Sequence, residues 1–208
     1  MNLFYKKIRM EQIITLPPPQ YELEFPLMKA IKLRRTKRRW KPDGLSWQEI
    51  SNLLWTACGI TYPETSKSKS RRTVPSARNS QSVSVYIALA KGLYRYDEKK
   101  HCLYGILSDD IRCNIGNQKM MQSAPVGLIY VADFSKLKEY AGTDEGRKWF
   151  IAGTETGFMG QNVYLYCASA QLHTAIIGLV DRDDLHKRMN LDDRYKIVYT
   201  QVIGKSCE

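Results

Sequence analysis

The hydrophobic positions of this chain change period several times, and each change marks an element. After Pro26, which suits the first turn of a helix, Leu27, Ala30 and Ile31 recur at helical spacing. A second helix is the clearest in the chain: Ser46 caps it, Glu49 completes a capping box, and Gly59 terminates it. Its apolar face is read as Trp47, Ile50, Leu53, Leu54 and Ala57. The period then shortens to two. Runs at Val83–Ala90, Leu93–Tyr96 and Cys102–Leu107 predict antiparallel strands, with Gly92 and Asp97–Lys100 as turns. Val126–Ala132 is continuously apolar, the pattern of a strand buried on both faces. Asp109–Met121 is read as a helix, and a long helix runs from near Gly146 to about Ala170 with almost no polar face. Asp181 or Asp183 caps a short helix through Met189, and Lys196–Ile203 is a last strand ending at Gly204-Lys205.

Helix first, then a strand group, then helices among isolated strands: this order predicts an α+β fold with a mixed, mainly antiparallel sheet flanked by helices. Residues 1–25 have no sustained period and contain Pro17-Pro18-Pro19, so they are read as an extended arm lying on the surface or on a partner subunit. Residues 26–208 are read as one domain. The stretch between Tyr62 and Thr73 is small, polar and basic, and is read as a mobile loop within it.

At 208 residues, with 43% hydrophobic and 25% charged positions, the chain falls outside collagen-like and wholly disordered classes. The 32 Lys and Arg against 21 Asp and Glu leave a net charge of +11, which suggests an anionic partner. Five cysteines at 58, 102, 113, 167 and 207 form no Cys-x-x-Cys pair and are read as reduced thiols. The longest apolar run falls far short of a bilayer span, and the first ten residues lack the apolar core of a signal peptide. These features predict a cytoplasmic protein without membrane association.

The charge concentrates in Arg34-Arg35-Thr36-Lys37-Arg38-Arg39, at or just past the first helix. Three readings suit such a run: a solvated helix end, a nucleic-acid patch, or a clamp on one phosphorylated ligand in which arginine forks and the Thr36 hydroxyl grip the phosphate. Spacing alone leaves all three open. His101, His173 and His186 are scattered and suggest no metal site. Gly153, Gly157 and Gly160 miss the dinucleotide spacing and are read as helix-packing glycines. Tyrosines 62, 94, 96 and 164 are read as core or pocket lining, and Lys67–Arg72 as a surface loop or a lid.

Taken in order, several segments resemble the nitroreductase family of flavoenzymes. Arg34-Arg35-Thr36-Lys37-Arg38-Arg39-Trp40 is similar to its opening basic motif, and Leu53–Ile60 to its next helix ending in Gly-Ile. Arg72-Thr73-Val74-Pro75-Ser76-Ala77 resembles its Arg-Thr-x-Pro-Ser segment, and Ala124-Pro125, Gly160–Leu165 and Ile177-Gly178 follow in register. Gly92-Leu93-Tyr94-Arg95-Tyr96 resembles the thiazoline/oxazoline dehydrogenase branch. The likeness implies a homodimer with FMN at the subunit interface, NADH or NADPH as electron donor and a small organic acceptor. It implies that Arg34, Arg35, Thr36 and Arg38 contact the FMN phosphate, ribityl chain and pyrimidine edge. Pro75, Ser76 and Ala77 would approach the flavin from the other subunit, and Asn117 the pyrimidine edge. Ile177 and Gly178 would pass near N5, and Lys205 would reach the phosphate. Nitroreductases of the common type carry Glu-Gly where this chain has Ile177-Gly178. Two other functions are carried forward: a flavin-dependent azoline dehydrogenase, and a basic nucleic-acid-binding module.

Overall fold

A computed structural model describes residues 12–118, 121 and 123–207. In chain order the elements are β1 (Ile13–Thr15), α1 (Leu27–Leu33), α2 (Trp47–Cys58), β2 (Ile60–Tyr62), β3 (Arg71–Arg72), β4 (Val83–Leu89), β5 (Gly92–Asp97), β6 (Cys102–Leu107), β7 (Val126–Asp133), α3 (Lys138–Ala141), α4 (Glu145–Ser169), β8 (Leu172–Ile177), α5 (Arg182–Met189) and β9 (Tyr195–Lys205). Seven strands form one sheet in the order β1-β6-β5-β4-β7-β9-β8, every pair antiparallel. The α+β architecture with a helix-flanked, mainly antiparallel sheet is as the sequence predicted; the mixed character expected of it is corrected, since among the described residues no pair of its strands is parallel.

Strand alternation explains the two cores. Along β4, Val83, Val85 and Ile87 face one apolar cluster, while Tyr86 and Ala88 face the other. In β7 the same split places Leu128 and Tyr130 on the first face and Ile129 and Val131 on the second. The first cluster is covered by Leu53, Leu54 and Ala57 of α2 and by Ala152, Met159 and Val163 of α4. Leu185 and Met189 of α5, with Ile115 and Met121, cover the second. All eight residues of β7 are buried, which is why its sequence reads as an unbroken apolar run.

The helix ends follow local chemistry. Ser46 accepts the Glu49 amide while the Glu49 carboxylate accepts the Ser46 amide, the reciprocal box expected at α2. Asp144 caps α4, and Asp181 caps α5. Trp47 departs from the expected α2 face: it is 44% exposed, because the core cluster begins only at Ile50, one turn further in.

Two other expectations are corrected. Asp109–Met121 is not an α-helix; among its described residues it holds a 3-10 turn at Arg112–Asn114 and another at Met121. Side-chain bonds there compete with a helical backbone, since Asp110 accepts from both the Arg112 amide and guanidinium, and Arg112 also reaches the Ala124 carbonyl. The polar stretch after Tyr62 is an antiparallel β2–β3 hairpin closed by a Thr65–Ser68 bridge. It is held because the Arg72 guanidinium is buried against the Glu98 carboxylate and the Val83 carbonyl. Residues 12–25 run extended, with β1 paired to β6 and Leu16 in the core.

Candidate functional site

The basic segment begins where α1 ends, with the Arg34 amide closing the last turn on the Ala30 carbonyl. Beyond it the chain runs along the open edge of β8. The Lys37 amide donates to the Thr174 carbonyl at 3.1 Å, and the Lys41 amide donates to the Lys205 carbonyl at 3.1 Å. Between them, buried His173 donates from Nδ1 to the Arg39 carbonyl, and its Nε2 lies 2.9 Å from the Ser206 hydroxyl. Trp40 donates its indole N–H to the Ser123 carbonyl at 2.8 Å. Its ring packs so closely on Gly204 that a Cβ there would lie 2.5 Å from the Trp40 Cβ.

Tyr164 of α4 organises the first part of this segment. Its hydroxyl accepts the Ile176 amide at 3.0 Å and shares a hydrogen bond with Thr36 Oγ1 at 3.0 Å. The Arg34 guanidinium stands 5.4 Å above its ring. A cavity of about 230 Å³ opens beside this group, lined by Arg35, Lys37, Tyr164, His173, Thr174 and Ser206. Arg35 donates to the carbonyls of Lys32 and Arg34, which folds its guanidinium back over the end of α1. Arg38 is exposed.

At the other end of β8, Ile177 is buried and Gly178 is exposed, so the chain offers backbone alone to the surface. A strand rise of about 3.4 Å per residue puts Gly178 about 14 Å from Thr174 and its Lys37 contact. Asn117 joins this end: its amide donates to the Leu179 carbonyl at 3.3 Å. Lys205 pairs with Leu172 at the opposite end of β8, and it borders a separate hollow with Gln20, Glu49 and Asn52.

Pro75, Ser76 and Ala77 lie elsewhere in the chain. The Ala77 amide donates to Glu155 Oε1 at 2.8 Å, nine residues before Tyr164 along α4 and therefore about 13 Å away by helical rise. One chain thus brings together Arg34, Thr36 and the β8 edge, and separately Asn117 with Ile177-Gly178. The Pro75–Ala77 segment stands apart from both.

Tyr164, which the sequence placed only among core or pocket tyrosines, is the residue that links Thr36 to β8. No local signal joins positions 128 apart in the chain. Tyr94 and Tyr96 are buried in the core, so the Gly92–Tyr96 segment belongs to the sheet interior, and Tyr62 is exposed on the hairpin. Gly160 is a packing glycine, since a Cβ there would meet Ile176 Cδ1 at 2.5 Å; Gly153 and Gly157 face open space instead.

A sheet with a long covering helix, and a basic segment laid along its edge strand, defines an α+β domain with a cationic cleft. Residues 31–205 match the model of the nitroreductase family, and the chain belongs to that family. A nitroreductase structure from Ralstonia eutropha JMP134 superposes with a TM-score of 0.85 at 33% identity, covering 95% of this chain and 91% of that one. A Methanocaldococcus jannaschii protein described as a nitroreductase is 25% identical over 188 residues, 83% of this chain and 91% of the relative. A Desulfovibrio desulfuricans nitroreductase solved in complex with FMN shares the fold at 19% identity, with a TM-score of 0.62 over 89% of this chain and 88% of that one.

Proposed function

We propose that this protein is an FMN-dependent oxidoreductase whose site is completed by two copies of the chain. The observation that carries this reading is the polarity of the β8 edge, cationic and hydroxyl-rich at Arg34–Lys37 and bare backbone at Gly178. This donor set fits a flavin mononucleotide. Arginine forks and the Thr36 hydroxyl suit a phosphate and ribityl chain, and an exposed glycine lets backbone approach a flat ring without a side chain intervening. The FMN complex of the Desulfovibrio relative supports the same ligand.

FMN, when bound, supplies the hydride-accepting and hydride-donating chemistry. The chain's own residues hold it. Arg34 and Arg38 carry planar, charged forks suited to gripping the FMN phosphate. NADH or NADPH is the proposed donor and a small organic molecule the acceptor, used in turn at one site. The residues read as contacts at the pyrimidine edge, N5 and phosphate are Asn117, Ile177, Gly178 and Lys205.

The second copy is called for by α4. Its outward stripe of Phe150, Gly153, Thr154, Gly157, Phe158 and Gln161 recurs at helical spacing; Phe150 is 75% and Phe158 43% exposed. With Gly153 and Gly157 open to space, the stripe lets another helix approach closely. Such packing would bring Pro75–Ala77 of one copy toward the basic segment of the other. Gel filtration with light scattering and a visible absorption monitor tests both parts. The reading expects two copies of the 24.0 kDa chain carrying a yellow chromophore released as FMN by mass. A colourless protein that FMN cannot reconstitute would overturn it.

A further inference from the structure

Glu155 is a carboxylate on α4, only 3% exposed, in a helix that otherwise covers an apolar core. Burying such a group costs free energy that an apolar residue would not, so its bonds indicate its role. Both oxygens are committed to one segment: Oε1 accepts the Ala77 amide at 2.8 Å and Oε2 accepts the Ser82 hydroxyl at 2.9 Å. Between those two points the backbone is forced. Arg78 and Gln81 have φ of 46° and 50°, a region such residues adopt at a cost, and Asn79, at 57°, is of the type that tolerates it. The far side of the same turn is tied down as well, by Asn79 and Gln81 donating to the Ser70 carbonyl and by the Gln81 amide donating to Ser76 Oγ.

The surroundings hold more polar capacity than they use. Among the described residues, the buried side-chain atoms without a hydrogen-bond partner are Arg72 Nε, Ser80 Oγ and Thr156 Oγ1. Thr156 adjoins Glu155, Ser80 lies between Ala77 and Ser82, and Arg72 donates to Val83 beside Ser82. A segment needed for stability alone would not require a buried carboxylate, two strained residues and spare polar groups together.

We propose that Glu155 is a positioning residue that fixes the angle at which Pro75–Ala77 is presented to the flavin bound by the partner copy. The carboxylate acts through the Ala77 amide and does not itself touch the flavin. Burial pushes its carboxyl above the usual range, while the Ala77 and Ser82 hydrogen bonds and the Arg72 and Lys136 charges act in the opposite direction. This inference rests on the flavin reading above.

The test compares wild type, Glu155→Ala, Glu155→Gln and Ser82→Ala by FMN fluorescence titration, by the absorption band shape of the flavin at saturation, and by apo-protein melting. Glu155→Ala is expected to weaken FMN binding at least tenfold and to alter the band shape even when saturated. Glu155→Gln keeps an oxygen for the Ala77 amide and should stay within about threefold of wild type. A Glu155→Ala protein that melts lower but binds FMN with unchanged affinity and band shape would overturn the proposal, leaving Glu155 a stabilising residue only. Should that variant not fold, Ser82→Ala decides: a two- to fivefold loss of affinity supports the proposal and no change overturns it. A wild-type protein that binds no FMN would instead defeat the reading on which it rests.

Discussion

The hydroxyls of Thr36 and Tyr164 lie 3.0 Å apart, joining the basic segment to the long helix, and the same Tyr164 oxygen holds the Ile176 amide of the edge strand. One phenol therefore sets the spacing of three elements. Tyr164→Phe keeps the ring under Arg34 but removes the acceptor of the Ile176 amide and leaves the exposed Thr36 hydroxyl to solvent. A loss of about 1–2 kcal/mol is expected, as for a buried hydrogen-bond partner removed. FMN affinity should fall three- to tenfold, since Thr36 loses its orientation. Denaturant unfolding and fluorescence titration of the purified variant check both; an unaltered midpoint with unaltered affinity would remove Tyr164 from the site.

Gly204 and Trp40 pin the other end of the segment. A methyl at position 204 would lie 2.5 Å from the Trp40 Cβ and 3.0 Å from Pro125 Cδ, so Gly204→Ala must displace the indole and the chain carrying it. The expected cost is about 1–3 kcal/mol, typical of overpacking, with a shift in tryptophan emission as the Ser123 hydrogen bond is lost. Gly44→Ala is the control: nothing lies within 4 Å of its Cβ, and its stability should stay within about 0.5 kcal/mol of wild type.

His101 makes stability depend on pH. It ties three parts of the fold: the Tyr96 hydroxyl lies 2.8 Å from Nδ1, while Nε2 lies 2.8 Å from Ser51 Oγ and 3.0 Å from the Pro17 carbonyl. Burial lowers its pKa below the ordinary 6.5, partly opposed by the Pro17 hydrogen bond. The unfolded chain therefore takes up a proton that the folded chain resists. The stabilisation is present above pH 6.5 and is lost as pH falls from there through the folded-state value. Melting temperature should decline in that window. In His101→Asn, which tolerates the φ of 49° at this position, the decline should be shallower. Equal slopes for the two proteins between pH 7 and pH 5 would contradict this assignment.

Much of this fold was legible because its signals are local. The Ser46–Glu49 box, the Asp181 cap, the hairpin strands and the apolar run of β7 each obey rules that act within a few residues. The helix expected at Asp109–Met121 failed because side-chain bonds from Asp110 and Arg112 compete with the helical backbone, which no apolar period reveals. The hairpin at 60–72 was hidden because its anchor, the Arg72–Glu98 pair, joins positions 26 apart. The candidate site divides in the same way. Its basic segment and its Ile177-Gly178 turn were readable as motifs. Tyr164 and His173, which place the basic segment, and Glu155, which holds Ala77, are ordinary residues on a helix or strand until the fold brings their partners to them.

The central claim is that Arg34 and Arg38, set along the β8 edge, hold the phosphorylated end of FMN. Equilibrium titration of FMN into wild type and an Arg34→Ala/Arg38→Ala double variant tests it most directly, with circular dichroism confirming that the variant is folded. Each lost charge-assisted contact removes about 1.5–3 kcal/mol, so affinity should drop at least a hundredfold while secondary structure is unchanged. A folded double variant that binds FMN as tightly as wild type would contradict the account.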